Sequence, residues 1–190
     1  PVAAPADRPA RGRNDGTRPA LVPRNDGDLP MNDTYTLETA TADDDDLIAE
    51  HYLRLWDSYG FARDQHVPGS ETLVRRFMNE ARATQELRAF ICRTGGEAVA
   101  SAACQVRRAP YPEVLLPTIR KIGYVWSVYV APDHRRRGIA RELMRACTGY
   151  LADIGCTSVI LHSSEAGLEL YKGLGFEGTS ELRLTLRPDP

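Results

Sequence analysis

The sequence lacks the features that mark several classes of protein. It has 24 lysines and arginines against 26 aspartates and glutamates, so no overall attraction to nucleic acid or to an anionic membrane is expected. No apolar run approaches the roughly 20 residues of a transmembrane helix, and the first residues lack the apolar core of a signal peptide. We therefore expect no nucleic-acid partner, no membrane partner and a cytoplasmic location.

Patterns of metal ligation are also missing. The four cysteines, Cys92, Cys104, Cys147 and Cys156, form no Cys-x-x-Cys pair, and the histidines are scattered along the chain. Buried free thiols are therefore expected, rather than disulfides or a metal site. This expectation agrees with a reducing compartment.

The apolar periodicity begins only after the first 34 residues. Six prolines fall within the first 30 positions, mixed with Arg, Asp, Asn and Gly. This composition predicts a disordered leader over residues 1–34. The rest of the chain, residues 35–190, is long enough for one domain with a good core.

Alternation and helical periodicity predict the elements of the first half. We expect a strand over residues 35–39 and helices over 47–59 and 70–83. A hairpin should follow, with strands over residues 87–93 and 98–106. The acidic run before the first helix is typical of a helix start, with a metal site as the weaker alternative. Residues 107–123 are interpreted as an ordered insertion, with residues 114–119 partly buried and able to wall a neighbouring site.

The second half predicts a βαβ passage. A strand over residues 125–130 precedes a helix over 139–154, a strand over 157–162 and a helix that stops at Gly175. Residues 176–186 are predicted to form a closing hairpin, with Leu182, Leu184 and Leu186 pointing inward. The βαβ passage predicts a parallel pair and the hairpins predict antiparallel pairs, which gives a mixed-sheet α/β domain.

The segment from Val125 to Ala140 indicates an anion site. Its strand is stopped at Pro132, and a basic loop with Gly138 leads into a helix near Ile139. Loop amides and the first turn of a helix offer unpaired N–H donors, which suit a pyrophosphate. It is neither a Walker loop nor a three-glycine dinucleotide fingerprint. The alternative is an ordinary strand, a solvated charge cluster and a surface helix.

Two motifs carry a family resemblance. Arg135-Arg136-Arg137-Gly138-Ile139-Ala140 resembles the Gln/Arg-x-x-Gly-x-Gly/Ala signature of the GNAT superfamily of N-acetyltransferases. Leu170-Tyr171-Lys172-Gly173-Leu174-Gly175-Phe176 is similar to the family's Leu-Tyr-x-x-x-Gly-Phe. The resemblance covers residues 98–186, is weaker over 35–97 and is absent before them. It implies a mixed, mostly antiparallel sheet flanked by helices, with the parallel βαβ at the coenzyme site.

The resemblance also implies a site for acetyl-coenzyme A as co-substrate, with no metal. A β-bulge, which cannot be read from sequence, would aim the Val128 backbone N–H at the thioester. The other coenzyme contacts implied are Tyr129, Val130, Arg135, Arg136, Arg137, Gly138, Ile139, Ala140, Arg141, Ser164 and Tyr171. Ser164 departs from the Asn that many relatives carry, so it can make fewer hydrogen bonds.

One catalytic role follows from the same resemblance, and another is taken from the residue type alone. Tyr171 matches the tyrosine that protonates the leaving thiolate, and its alternative is a tyrosine that fills the core. His162 is the candidate general base because of its intrinsic pKa, with Glu165, Asp57 or a relayed water as rivals. Candidate acceptor contacts, which could equally be core aromatics in part, are Asp57, Tyr59, Phe61, His66 and Trp126.

These expectations define a function. The chain is interpreted as an N-acetyltransferase that moves the acetyl group of acetyl-coenzyme A to a primary amine of a small molecule, amino acid-like or antibiotic-like, in a ternary complex. One alternative acceptor is a peptide or protein amine. Another alternative is a coenzyme A-binding regulatory module without catalysis. A homodimer is possible, since dimers are common in the family.

Overall fold

Five strands form one mixed sheet in the computed structural model, which describes residues 35–179 and 181–184. The elements are β1 (Thr36–Thr39), α1 (Asp45–Ser58), α2 (Ser70–Thr84), β2 (Arg88–Thr94), β3 (Glu97–Val106), β4 (Ile122–Val130), α3 (Ile139–Asp153), β5 (Ser158–Ile160) and α4 (Leu168–Lys172). The leader predicted over residues 1–34 lies outside the described residues.

The strands follow one another in sequence order across the sheet. Neighbours from β1 to β4 are antiparallel, whereas β4 and β5 are parallel. The predicted mixed sheet with a parallel βαβ passage is confirmed. The β4–β5 ladder runs only from Ile122↔Ser158 to Tyr124↔Ile160. Within the described residues, no strand pairs with that edge of β4 beyond Tyr124, so a gap opens between the two strands.

A β-bulge interrupts β4 just beyond this point. Trp126 pairs with Ala103, but the next pair towards the end of β4 is Tyr129 with Ser101. Ser127 and Val128 therefore both oppose Ala102. Ser127 has a φ of 56°, which is uncommon for a residue with a side chain.

Helices cover both faces of the sheet, and the bulge decides which face each β4 side chain joins. Val125 packs in the cluster under α3, whereas Trp126 packs in the cluster under α1 and α2. Beyond the bulge, Val128 and Val130 also join the α3 cluster. Tyr129 instead stacks on His51 of α1, with ring centroids 4.6 Å apart. The extra residue thus shifts the alternation by one.

Small residues bring α3 and the sheet close together. Ala100 and Ala102 of β3 are completely buried beneath α3. A Cβ atom on Gly123 would lie 2.7 Å from Leu151 Cδ1. Such a contact is too short for packed carbons, so glycine allows β4 and α3 to approach here.

The acidic run before α1 is a helix start. Thr41 accepts a hydrogen bond from the Asp43 N–H, and the Asp44 carboxylate accepts one from the Thr41 N–H at 2.9 Å. Asp45 pairs with Arg82, which ties α1 to α2. Across the described part of the chain, His, Cys, Asp and Glu side chains form no group of three or more that could hold a metal ion.

Two further expectations concern thiols and membranes. All four cysteines are free; Cys92, Cys104 and Cys147 are buried and Cys156 is partly buried, so the prediction of free thiols is confirmed. Among the helices in residues 35–179 and 181–184, none combines the length and apolarity needed to cross a membrane.

Two sequence predictions are wrong. The insertion before β4 does not bury residues 114–119: Val114 is 87% exposed and Leu116 is 69% exposed. The closing hairpin is also absent from residues 176–179 and 181–184, where Leu182 is 96% and Leu184 is 81% exposed. Leu186 lies outside the described residues. Both segments carry several apolar residues, but in the structure no facing element covers them.

Candidate functional site

The gap between β4 and β5 opens into a cleft of about 1040 Å³, here named the β4–β5 cleft. Its walls come from the bulged part of β4, the loop before α3, the first turn of α3, and α4. It contains most of the coenzyme contacts predicted from the sequence, namely Val128, Tyr129, Val130, Arg135, Arg136, Gly138, Ile139, Ala140, Arg141, Ser164 and Tyr171.

The loop before α3 has the backbone of an anion site. Arg136 and Gly138 adopt positive φ angles of 62° and 79°, and α3 begins directly afterwards at Ile139. Alternating backbone conformations of this kind gather N–H groups into a concavity, to which the helix N-terminus adds its own unpaired donors. Arg135 holds the loop against β4 through a hydrogen bond from Nε to the Val130 carbonyl, 3.0 Å long.

Arg137 differs from its neighbours. Its guanidinium donates to the Tyr35 hydroxyl at 3.1 Å and to the Asp133 carbonyl at 3.2 Å. It is not among the residues that line the β4–β5 cleft. The structure therefore places this predicted coenzyme contact against β1, as a brace for the loop. Consecutive arginines cannot all point the same way, which the motif alone does not resolve.

Tyr171 is one of the residues that line the cleft. Its ring packs edge-on against Phe176, with centroids 6.0 Å apart, and fills the space above Gly167. Burial raises its pKa to about 12, with smaller contributions from Tyr59 and Cys147. The phenol is therefore fully protonated at neutral pH and can act as a hydrogen donor towards the cleft.

A second cavity of about 990 Å³ lies on the other side of the bulge, between α1, α2 and β4. We name it the aromatic cavity. It shares five lining residues with the β4–β5 cleft: Tyr59, Val125, Trp126, Ser127 and His162. The two spaces thus meet at the bulge. The buried Ser127 hydroxyl at this junction has no hydrogen-bond partner.

Edge-to-face aromatic contacts run along the wall of the aromatic cavity. Phe77 packs on Trp126, Trp126 on Tyr52, Tyr52 on Trp56 and Trp56 on Tyr59, with centroids 5.4 to 6.1 Å apart. Phe77 is 43% exposed and Tyr59 is 46% exposed. Tyr52 and Trp126 also pack against the core cluster under α1 and α2, whereas Tyr59 is exposed in the cavity wall, so the core alternative for Tyr59 does not hold.

His162 lies at the junction with two partners that sequence reasoning missed. The Tyr124 hydroxyl is 2.7 Å from His162 Nδ1, and Glu181 lies 3.3 Å from Nε2. Burial is the largest of the effects that raise the Tyr124 pKa. The β4–β5 register could have indicated Tyr124, because it pairs with Ile160, two residues before His162. Glu181 follows α4 and gave no such signal.

Three of the predicted acceptor contacts lie outside both cavities. Both carboxylate oxygens of Asp57 accept from the single Arg63 Nε–H at 2.9 Å, and Asp57 lies 3.9 Å from the imidazole of His66. Phe61 packs against Trp56. None of Asp57, Phe61 and His66 is among the residues that line either space. Glu165, the rival candidate for the general base, lines the β4–β5 cleft but not the aromatic cavity.

Comparison with known proteins agrees with this architecture. Residues 48–176 match the model of the acetyltransferase (GNAT) family, which covers more than half of the chain. The chain therefore belongs to the GNAT acetyltransferases, and the family predicted from the two motifs is confirmed.

Individual relatives share 30% identity or less with this chain in the two cases described next. An uncharacterized N-acetyltransferase of Methanocaldococcus jannaschii is 26% identical, over 81% of this chain and 66% of its own length. An aminoglycoside N(6')-acetyltransferase of Acinetobacter haemolyticus is 30% identical, over 32% of this chain and 44% of its own length. The chain thus matches less than two thirds of either relative.

Solved structures support the fold. A predicted acetyltransferase of Clostridium acetobutylicum, solved with acetyl-coenzyme A, superposes with a TM-score of 0.69 at 22% identity. The match covers 80% of this chain and 96% of the other. The mixed sheet with its parallel β4–β5 edge is therefore the GNAT fold.

Proposed function

We propose that the protein is an N-acetyltransferase that transfers the acetyl group of acetyl-coenzyme A to a primary amine of a small molecule, by direct attack in a ternary complex. One observation carries the proposal. Two spaces of similar volume, about 1040 and 990 Å³, meet at the β4 bulge, so a donor in one and an acceptor in the other would react there.

The residues of the β4–β5 cleft fit acetyl-coenzyme A. The positive φ angles of Arg136 and Gly138 form a backbone concavity at the start of α3, and Arg135, Arg136 and Arg141 line the same wall. Backbone donors and guanidinium groups are the usual partners of a pyrophosphate. When bound, the donor supplies an acetyl group activated as a thioester. The C. acetobutylicum relative was solved with this molecule.

The bulge of β4 would stabilise the negative charge that develops on the thioester oxygen during acetyl transfer. Because Ser127 and Val128 both oppose Ala102, the regular ladder is broken at Val128. A backbone N–H released from a ladder can donate to an oxyanion without reorganising. Val128 lines the β4–β5 cleft, and the neighbouring Ser127 lines both spaces.

Proton transfers are assigned to two groups on this chain. The Tyr171 phenol, with its pKa raised to about 12, donates a proton to the leaving sulfur. Removal of a proton from the amine is assigned to His162, which lines both spaces and is held by Tyr124 and Glu181.

Calorimetry with acetyl-coenzyme A, followed by thiol release in the presence of amines, tests the proposal. We expect binding of the donor, and thiol release that requires an added amine. Absence of binding would contradict the donor assignment. Binding without amine-dependent release across a broad panel would instead favour a regulatory coenzyme A-binding module.

A further inference from the structure

The charges around the aromatic cavity disfavour a polycationic acceptor. Its charged lining within the described residues consists of Arg107, Arg108 and a single carboxylate, Glu80. A ligand with several ammonium groups needs carboxylates close by, since each buried cation otherwise loses its hydration without compensation. The arginines would instead attract an anionic group.

Apolar and aromatic side chains form the wall contributed by α1 and α2, and several of them lack cover. Leu73 is 45% exposed, Phe77 43% and Trp56 38%, although all three lie in a concave surface. Concave apolar walls with a few convergent polar groups are typical of sites for small apolar ligands. The wall of this cavity therefore fits a large apolar or aromatic group.

Polar groups in the floor of the cavity already satisfy one another. Trp126 Nε1 donates to Gln105 Oε1 at 3.1 Å, and Gln105 Nε2 donates to Gln85 Oε1 at 2.9 Å. Because these amides are paired, they offer a sugar-like ligand few unpaired hydrogen-bonding groups. This part of the cavity presents mainly the apolar face of the indole.

Arg107 lies beside the junction of the two spaces. Its charge acts on Tyr124, lowering a pKa that burial raises, and the Tyr124 hydroxyl is 2.7 Å from His162 Nδ1. A carboxylate held by Arg107 would therefore place a neighbouring amine at the junction. In an α-amino acid a single carbon atom separates the amine from the carboxylate, so an α-amino acid is the simplest acceptor of this kind.

Building on the proposed function, we propose that the acceptor is an α-amino acid or close analogue with a large apolar, preferably aromatic, side chain. Its carboxylate pairs with Arg107 and its side chain packs against Phe77 and Trp126. The aminoglycoside acetylated by the A. haemolyticus relative is a polycation, and this cavity selects against that class.

The test compares three probes in thiol release: L-phenylalanine, 2-phenylethylamine, which lacks the carboxylate, and kanamycin, a polycation. We expect kcat/KM for L-phenylalanine to exceed that for 2-phenylethylamine by about tenfold or more, as a charge-assisted hydrogen bond would give. In Arg107→Gln, the two phenyl compounds should have similar kcat/KM values, which differ by no more than about threefold. Arg76→Gln removes an exposed arginine outside the cavity and should leave the ratio unchanged.

The outcomes separate this inference from the proposed function. Equal rates with both phenyl compounds, a ratio unaffected by Arg107→Gln, or a preference for kanamycin would each overturn the inference while leaving the acetyltransferase intact. Loss of acetyl-coenzyme A binding in calorimetry, in contrast, would remove the proposed function itself. Near-wild-type donor affinity in Arg107→Gln confirms that the variant is folded.

Discussion

The β4–β5 cleft and the aromatic cavity have similar volumes and share the bulge of β4, yet they are built differently. The cleft depends on backbone conformation: the positive φ angles of Arg136 and Gly138, the start of α3 and the bulge at Ser127. The cavity depends on side chains, above all Phe77 and Trp126. A backbone site recognises one fixed ligand, whereas a side-chain site can change its ligand by substitution.

The largest expected effect is the loss of kcat in Tyr171→Phe. Tyr171 acts through its side chain in a cleft that otherwise depends on the backbone, so this variant tests an exception to the contrast. We expect kcat to fall about 100-fold, since a positioned general acid contributes at least that much. Thiol release measures the rate, and calorimetry should show unchanged donor affinity.

Tyr150→Phe is the matched control for this variant. Its hydroxyl donates to the Glu86 carbonyl on the α3 surface, and Tyr150 lines neither space. Its removal should leave kcat unchanged.

The pH profile of the wild-type enzyme gives a further check on Tyr171. Since the Tyr171 pKa is about 12, the wild-type rate should show no loss of a proton donor near pH 10. A rate that survives Tyr171→Phe would remove the acid role.

Gly138→Asp tests the backbone character of the cleft. The side chain strains a φ of 79°, and the negative charge lies at the helix start where an anion is expected. We expect donor affinity to fall about 30-fold in calorimetry, the sum of these two costs. Gly149→Asp adds the same charge to α3 at a position with no heavy atom within 4 Å, and its donor affinity should stay at the wild-type value.

Phe77→Ala tests the cavity from the opposite direction. It removes half-exposed aromatic surface from the cavity wall without touching the backbone. The KM for a phenyl-bearing acceptor should rise about tenfold, while donor affinity remains constant. A parallel loss of donor affinity would show that the two spaces are not independent.

The smallest expected effect is the pH dependence of stability that arises from His51, which stacks on Tyr129 of β4. Burial is the main reason why the His51 pKa is lowered to about 4, with the Arg54 charge adding to the shift and Glu50 opposing it. His51 is 3% exposed, and its Nδ1 lies 2.9 Å from Ser101 Oγ. Its folded pKa is below the unfolded value of 6.5, so the unfolded chain binds the proton first as the pH falls.

Stability from neutral His51 is therefore complete above pH 6.5 and is lost progressively as the pH falls towards 4. Between about pH 7 and about pH 5.5 the loss amounts to about 1 kcal/mol, which urea unfolding can measure. His51→Gln should reduce this pH dependence. Equal pH dependence in wild type and His51→Gln would contradict the assignment.

The backbone site was more accessible to prediction than the side-chain site. The loop at Gly138 is local in sequence, so its residues and the helix that follows could be read together. The aromatic cavity gathers Phe77 from α2, Trp126 from β4 and Arg107 from the end of β3, and periodicity does not show which of them face one space. Leu73 and Phe77 follow a helical period, yet Val74 and Met78 form the buried face of α2.

Other features depended on the tertiary structure alone. The bulge needs a positive φ at Ser127, which nothing in the residue type indicates. The contact of His162 with Glu181 joins residues 19 positions apart, one before α4 and one after it. Exposed Leu182 and Leu184 show the converse: alternation predicted a strand, but apolar alternation forms one only where a partner strand is present.

The bulge has a consequence at the level of the gene. Ser127 is one residue more than the sheet requires: without it, Ala102 would pair with Val128, and Ser101 would still pair with Tyr129. Every other apolar side chain of β4 would keep its present face. Loss of a single codon therefore yields a chain that can still build both cores but has a regular strand where the two spaces now meet. Such an in-frame deletion would keep the packing that folds the domain and would remove the bulge at which the reaction is proposed to occur.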